Sequence, residues 1–379
     1  MGENELVLKP RLIGKRFDKH DIPFSVLRDL AQLEPILLKA SKDAFLRANP
    51  DRSRVPKGFL RGFSLNIASV ADGSAIPEIR VHFDTSNYIS PEFTQNFRFI
   101  EAGIQKMLGF FDKAANSDEA VEDITQADAA MYAQLGKSLF EDESIEFTGN
   151  FGKPIAINTH SRLAFFRASA EEYLTENRTL VGVVIQCDST KNVFSLRLIS
   201  DEVVSGIPFT DDYYSDIMAS LESAKSITNR RLSLECSVIV DRQNKIKEIE
   251  SISKFSLLHV RDVPSRLEEF AYLEPGWLEG YGDSFDLALL KELGALFVKY
   301  YPNDLDLPYT YPDEKDTICF EWEDDVHSVS LDFNLSDFSA VWYDMDKQHD
   351  TITDDSIPNF RQKESWDILI NKLYEVFAS

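Results

Sequence analysis

The stretch TLVGVVIQCDSTKNVFSLRLI, residues 179–199, carries branched apolar residues at a spacing of two on either side of the polar tetrapeptide Ser189-Thr190-Lys191-Asn192. Successive side chains of a strand point to opposite faces, so this pattern predicts a β-hairpin. Downstream, VVSGIPF (203–209) reads as a third strand and TDDYYSDIMASLESA (210–224) as a helix, with Thr210 placed to cap it and Asp211 and Asp212 suited to its dipole. A second hairpin follows, RLSLECSVIVD (231–241) and IKEIESISKFSLL (246–258) around the turn RQNK. Five strands with one inserted helix predict a small antiparallel barrel or strongly curled sheet of OB type, assigned to residues 144–262.

The flanks differ in period. In the region 1–143, LVLKPRLIG is strand-like. Val26, Leu27, Leu30, Leu33, Leu37, Ala40, Ala44 and Phe45 then recur at helical spacing, with Ser25 as the expected N-cap, Pro35 as a kink or second start, and Asn49-Pro50 as the stop. FLRGFSLNIASV and IPEIRVHF read as two strands around ADGSA (71–75), and residues 90–143 as helices. Phe97, Ile100, Ile104, Met107, Leu108 and Phe111 form a core stripe. The region 263–379 reads as helix, three-strand meander (TICFEWE, SVSLDFN, AVWYDM) and closing helix. The whole is therefore expected to be a multidomain α+β protein with domains 1–143, 144–262 and 263–379, since 379 residues exceed one ordinary core.

Charge separates the two ends of the sequence. Of the formal −24, residues 1–61 contribute 13 Lys+Arg against 8 Asp+Glu, or +5, whereas residues 271–379 contribute 7 against 24, or −17. A surface dominated by carboxylates disfavours phosphate backbones and attracts cationic partners. Cys187, Cys236 and Cys319 are odd in number, far apart and without a CxxC pair, which predicts free thiols in a reducing cytosol. No apolar run reaches the roughly 18 residues of a membrane span, and MGENELVLKPRLIGKRF lacks a secretory core, so a cytoplasmic protein without membrane contact is expected.

Three motifs bear on function. In EPGWLEGYGDSFDLALLKEL, from Glu274, three glycines surround Trp277 ahead of a helix. Flanking Glu279, Asp283 and Asp286 would repel a phosphate, so the glycines are read as shaping a turn around Trp277, with Asp283 or Ser284 capping the helix. Trp277 and Tyr281 are candidate apolar anchors for a partner. In TICFEWEDDVHSVSLDFNLSDF, Glu321, Glu323, Asp325 and Asp332 are expected to share one wet sheet face, and together with Asp324 they are the candidate docking acids. In LRANPDRSRVPKGFLRGF, Arg47, Arg52, Arg54, Lys57 and Arg61 interleave with Phe59 and Phe63, a composition that can clamp phosphates or stack bases. No His or Cys stands at metal-ligand spacing, and there is no GxSxG elbow or GxxxxGK[ST] loop; PDEK (312–315) lacks the spacing of a nuclease motif. No catalytic residue, cofactor or metal site is assigned, and a non-enzyme is favoured.

NPDRSRVPKGF, the strand pair around DGSAIP, and GWLEGYG followed by a helix and PYTYP resemble uncharacterised bacterial accessory-genome proteins, some encoded near toxin-antitoxin or phage-defence genes. The resemblance covers about a quarter of the chain and implies a defence-associated partner or regulator, with no catalytic residues to carry over. The expected function is a non-catalytic interaction protein whose acidic C-terminal domain binds a basic partner, a toxin or nucleic-acid enzyme among the candidates. The alternatives are a nucleic-acid-binding effector using the barrel and the Arg47–Arg61 cluster, and a metal-dependent nuclease. Nothing in the sequence fixes an oligomeric state.

Overall fold

The computed structural model describes residues 6–19, 21–60, 62–71, 75–83, 91–149, 152–224, 229–314 and 316–377. Contacts divide the chain into two units, Met1–Thr179 with Leu234–Lys254, and Leu180–Ser233 with Phe255–Ser379. In the first, the expected N-terminal strand is two short ones, β1 (Val7–Leu8) and β2 (Arg11–Ile13), with Pro10, which has no N–H to offer a ladder, between them. The helical run also divides, into α1 (Phe24–Leu30) and α2 (Leu33–Ala48). Ser25 is not the cap. Pro23 holds that position without a side-chain bond, and Pro35 sits in the first turn of α2, where its missing N–H costs nothing.

β3 (Phe63–Ala71) and β4 (Ile76–Phe83) pair antiparallel as expected, giving a sheet of order β1-β4-β3; the middle of the expected ADGSA turn lies outside the described residues. Next comes α3 (Pro91–Ala115), with Ile100, Ile104, Met107 and Phe111 buried. It crosses α2 closely at Gly103, where an added Cβ would stand 2.5 Å from the Ser41 Oγ. The second expected helix is only one segment, α4 (Gln126–Tyr132), capped by Thr125. Sequence reasoning missed β5 (Ser144–Thr148), β6 (Pro154–Ile157) and α5 (Thr159–Ala168). The sheet order is β2-β5-β6, and a reciprocal Asn158–Ser161 cap starts α5.

The next five strands are β7 (Leu174–Asp188), β8 (Val193–Leu198), β9 (Val203–Pro208), β10 (Leu232–Val240) and β11 (Ile246–Leu257), and they form one sheet in the order β11-β10-β7-β8-β9. It curls into a half-barrel with β9 and β11 as its edges. Register shifts at Val184/Gln186 and Phe194/Leu196 add local twist. At Gly182 an added Cβ would meet the Arg197 carbonyl oxygen at 2.3 Å, so only glycine fits where β7 bends against β8. Between β9 and β10 lies α6 (Tyr214–Ser223), entered through a 3-10 turn; the Thr210 side chain makes no cap bond. At the β7 bulge the Val184 N–H donates to the Ser220 hydroxyl (3.1 Å), which donates to the Arg230 carbonyl (2.7 Å) and pins α6 to the strand.

The rest of the second unit begins with α7 (Val263–Phe270), capped by Asp262 and started by Pro264. The Asp286 carboxylate, not Asp283 or Ser284, caps α8 (Leu287–Tyr300) by accepting from the Ala288 and Leu289 N–H groups. A five-stranded antiparallel meander replaces the expected three: β12 (Tyr309–Asp313), β13 (Thr317–Glu323), β14 (His327–Asn334), β15 (Ser339–Asp346) and β16 (Thr351–Ile357), in sequential order. α9 (Lys363–Phe377) closes the unit. The inner face, led by Phe320, Trp322, Leu331, Phe333 and Trp342, packs with Leu293 and Phe297 of α8 and Trp366 and Leu369 of α9. Burying one such side chain stabilises by about 1.5–3 kcal/mol. The Trp322 indole N–H donates to the Tyr301 hydroxyl (2.9 Å) and the Trp366 N–H to the Phe360 carbonyl (2.7 Å), so both large polar-tipped rings are satisfied.

Ser220→Ala strips the buried Val184 N–H of its acceptor; unfolding in denaturant is expected to register a loss of about 1–3 kcal/mol, and an unchanged midpoint would show that this bond does not hold α6.

Candidate interaction surfaces

The strand register places the predicted acids. Along β13, Ile318, Phe320 and Trp322 are buried, which turns Thr317, Cys319, Glu321 and Glu323 to the opposite, outer face. Cross-strand partners then define rows on that face. One row is Tyr309, Glu321, Ser330, Tyr343 and Asp354; its neighbours are Glu323, Ser328, Met345 and Ile352 on one side, and Tyr311, Cys319, Asp332, Val341 and Ser356 on the other. Glu321, Glu323 and Asp332 therefore share the face. Asp324 and Asp325 are exposed in the β13–β14 turn, where the Asp324 carboxylate accepts from the His327 (2.6 Å) and Val326 (2.8 Å) N–H groups, bonds that hold it below the usual carboxylate range.

Sequence reasoning missed the apolar part of this face. Tyr343, Met345 and Ile352 are 37%, 38% and 67% exposed, Met345 and Ile352 stand directly opposite each other, and Glu321, Glu323 and Asp354 flank them. At the β12 edge, Arg261 lies over the Tyr309 ring at 4.9 Å. The signal was available in the two-residue period of AVWYDM, whose alternate members Val341, Tyr343 and Met345 fall outside the core. Ion pairing does not erase the charge. Lys347, Arg361, Lys372 and Lys363 are bound to Glu323, Glu292, Asp355 and Asp367 of the same segment, which leaves its −17 unchanged, and Arg261 from outside it meets Asp306 at 3.8 Å, offsetting one charge.

The glycine-rich stretch is a turn built on its own tryptophan. Gly276, Gly280 and Gly282 have φ of +90°, +94° and +88°, and the Gly276 N–H donates to the Gly282 carbonyl at 2.8 Å. An added Cβ at Gly282 would meet the Trp277 Nε1 at 2.5 Å. The Trp277 indole N–H donates to the Asp283 carbonyl (3.1 Å), and the ring packs against the C-terminal core beside Phe285. Of the two expected anchors, Trp277 is held by the turn, and Tyr281, 71% exposed, is presented to solvent.

In the N-terminal cluster Arg47, Arg52, Arg54 and Lys57 are all exposed, while Arg61 lies outside the described residues. Phe59 does not interleave with them at the surface: it is 5% exposed and packs with Phe45 and Phe99, so its ring is closed to a stacking base. In its second-unit part, residues 180–233, the curled sheet with its connections holds 7 Asp+Glu against 5 Lys+Arg, so the composition there carries no positive excess. Among the described residues no three His, Cys, Asp or Glu side chains converge to hold a metal ion, which leaves the nuclease alternative without a ligand set there. No helix among the described residues is long and apolar enough to cross a membrane. The three cysteines are free. Burial pushes the Cys236 thiol up to about 12, and burial together with the Asp332 carboxylate does the same to Cys319; the Cys187 thiol is raised by burial and by Asp188.

Comparison with protein-family models, curated proteins and solved structures found no match for this chain.

Gly282→Ala forces a side chain into a left-handed backbone and into the indole, and is expected to cost more than about 1 kcal/mol and to shift Trp277 emission; wild-type stability with unchanged emission would refute the turn. At pH 7.5 a maleimide should label native Cys236 and Cys319 far more slowly than the denatured chain, because thiols raised so high hold almost no thiolate. Equal native and denatured rates would contradict that environment.

Proposed function

We propose that this chain is a non-catalytic interaction protein that binds a basic protein surface on the outer face of β12–β16. The observation that carries the reading is the apolar group Tyr343, Met345 and Ile352 exposed among Glu321, Glu323 and Asp354, in a segment of charge −17. Aromatic and Met anchors inside a charged rim are the anatomy of a protein-binding patch, and the carboxylates would steer a cationic partner and fix its register. Asp324 and Asp325 in the β13–β14 turn extend the acidic surface beyond the strands, and Tyr281 is a separate exposed aromatic on the glycine-rich turn. A bacterial defence or toxin-antitoxin setting belongs to the proposal on the strength of the resemblance of NPDRSRVPKGF and GWLEGYG alone. An OB-type identity for the curled sheet is supported by its strand order and by the single helix between its third and fourth strands. The net negative charge of residues 180–233, which lies mostly in the connections and α6, favours a scaffold role for it over the alternative of nucleic-acid binding there.

The test is co-expression with the product of the adjacent gene and titration of the purified pair. Association is expected to weaken at least tenfold between 50 and 300 mM salt, and to be lost in Glu321→Lys/Glu323→Lys. Tyr343→Ala is expected to weaken it by about tenfold, the equivalent of 1.4 kcal/mol. No association at 50 mM salt, or association indifferent to these substitutions, would overturn the reading.

A further inference from the structure

Within the first unit, several cations are held by carboxylates. Arg16 is bound to Glu143, Lys39 and Lys106 to Asp43, Lys113 to Asp123 and Arg178 to Glu176. Arg47, Arg52, Arg54 and Lys57 are clustered within eleven positions at the end of α2 and in the loop after it: all four are exposed, and among the described residues none has a carboxylate partner. A fifth cation joins them from another element. Arg98 of α3 is exposed, likewise without a carboxylate, and its guanidinium lies over the Phe99 ring at 4.7 Å, while that of Arg52 lies over Phe45 at 6.0 Å. Phe45 and Phe99 are themselves 5.2 Å apart, and Phe59 is 4.8 Å from Phe45, so the end of α2, the loop after it and α3 meet on one platform of three phenylalanines.

The platform holds the loop. Its two ends are joined through the Phe45–Phe59 contact, and turn bonds from the Arg52 N–H to the Asn49 carbonyl and from the Phe59 N–H to the Pro56 carbonyl shape what lies between. Pro50 and Pro56 restrict it further, and Gly58 supplies the left-handed turn (φ +80°) before Phe59. Cations on a pre-ordered loop lose little entropy on binding. The one acid in the loop, exposed Asp51, subtracts from a local excess that Arg47, Arg52, Arg54, Lys57 and Arg98 still dominate.

We infer that this platform is a phosphate-binding surface for nucleic acid, one that grips the sugar-phosphate backbone and does not read bases. Guanidiniums outnumber the single ammonium, and their planar fork matches phosphate oxygens. The absence of base reading follows from burial: Phe45, Phe59 and Phe99 are 7%, 5% and 5% exposed, so they support the cations from beneath and offer no face for stacking. The excess of carboxylates in the rest of the chain keeps binding weak and confined to this surface. The inference is separate from the acidic sheet face and survives if that reading fails.

The experiment is fluorescence anisotropy with labelled 20-nucleotide oligo-dT, oligo-dA, an RNA of the same length and a 20-base-pair duplex, from 25 to 200 mM salt, with poly-glutamate as competitor. Five phosphate contacts predict a log–log salt slope of about −3.5 on single strands, and Arg52→Ala/Arg54→Ala should reduce its magnitude by about 1.4. Arg98→Ala, on a different element, should weaken binding about threefold or more at 50 mM salt. Melting curves establish that these surface variants remain folded. Oligo-dT and oligo-dA should bind within about threefold of each other, poly-glutamate should not compete, and Glu321→Lys/Glu323→Lys should bind at least as well as wild type. No binding at 25 mM salt, binding indifferent to all three arginines, a tenfold base preference, or capture of poly-glutamate as tight as that of oligonucleotide would each overturn the inference.

Discussion

Along β13, β14 and β15 every second side chain goes under α8 and α9, and that constraint decides where the others must stand. A strand slipped by one residue would carry Glu321, Asp332 and Tyr343 into the space now filled by Phe320, Leu331 and Trp342. Burying even one unpaired carboxylate there costs more than a neutral polar group, which itself costs about 1–3 kcal/mol. The acidic outer face is therefore the necessary counterpart of an aromatic inner one. The hydrogen bonds of Trp322 and Trp366 fasten the same arrangement from within, Trp322 donating to the Tyr301 hydroxyl and the Asp306 carbonyl and Trp366 to the Phe360 carbonyl.

The two units treat charge differently. In the first, several ions are drawn inward. The Arg16 guanidinium grips Glu143 through two bonds of 2.6 Å, and Gly14 must lack a side chain because a Cβ would stand 2.6 Å from the Glu143 Cγ. Asp29 accepts from the Ser138 N–H and hydroxyl, and burial raises its pKa. Arg162, fully buried, donates to the Ala133 and Thr175 carbonyls, and burial lowers it to about 10. The cations around Phe45, Phe59 and Phe99 have no carboxylate partner among the described residues, and Arg52 and Arg98 lie over phenylalanine rings instead. In the acidic segment of the second unit the imbalance lies in composition, and pairing within the segment cannot remove it.

Strong periodicity was legible in the sequence and weak periodicity was not. The five strands with one inserted helix, the α3 stripe and the β13–β15 meander all rest on runs whose burial repeats at 2 or 3.6 residues, and all appear. β12 and β16 escaped because they are edges: Pro312 interrupts one, and TITDDSI, exposed at all but Ile357, has no buried face to betray it. β5 and β6 are too short to show a period. Ser25, Thr210 and Ser284 carry the right chemistry for caps, yet the helices begin one or more residues away, where backbone geometry outweighs side-chain preference. The same limit applied to the surfaces. Alternation correctly put Glu321, Glu323 and Asp332 on one face but misplaced Asp325, which lies in the β13–β14 turn, whereas the burial of Phe59 and the placing of Arg52 and Arg98 over adjoining rings depend on α2 and α3 meeting, a contact no local spacing encodes.

β16 completes its sheet as an exposed strand with its outer backbone groups open, the geometry through which copies of a protein can zip into ribbons. Asp354 projects from one side of it, and Asp355, held by Lys372, from the other. A second copy aligned along that border would bring like charges together at strand spacing and be repelled. Carboxylates along β16 thus act against edge-to-edge pairing at this border of the sheet.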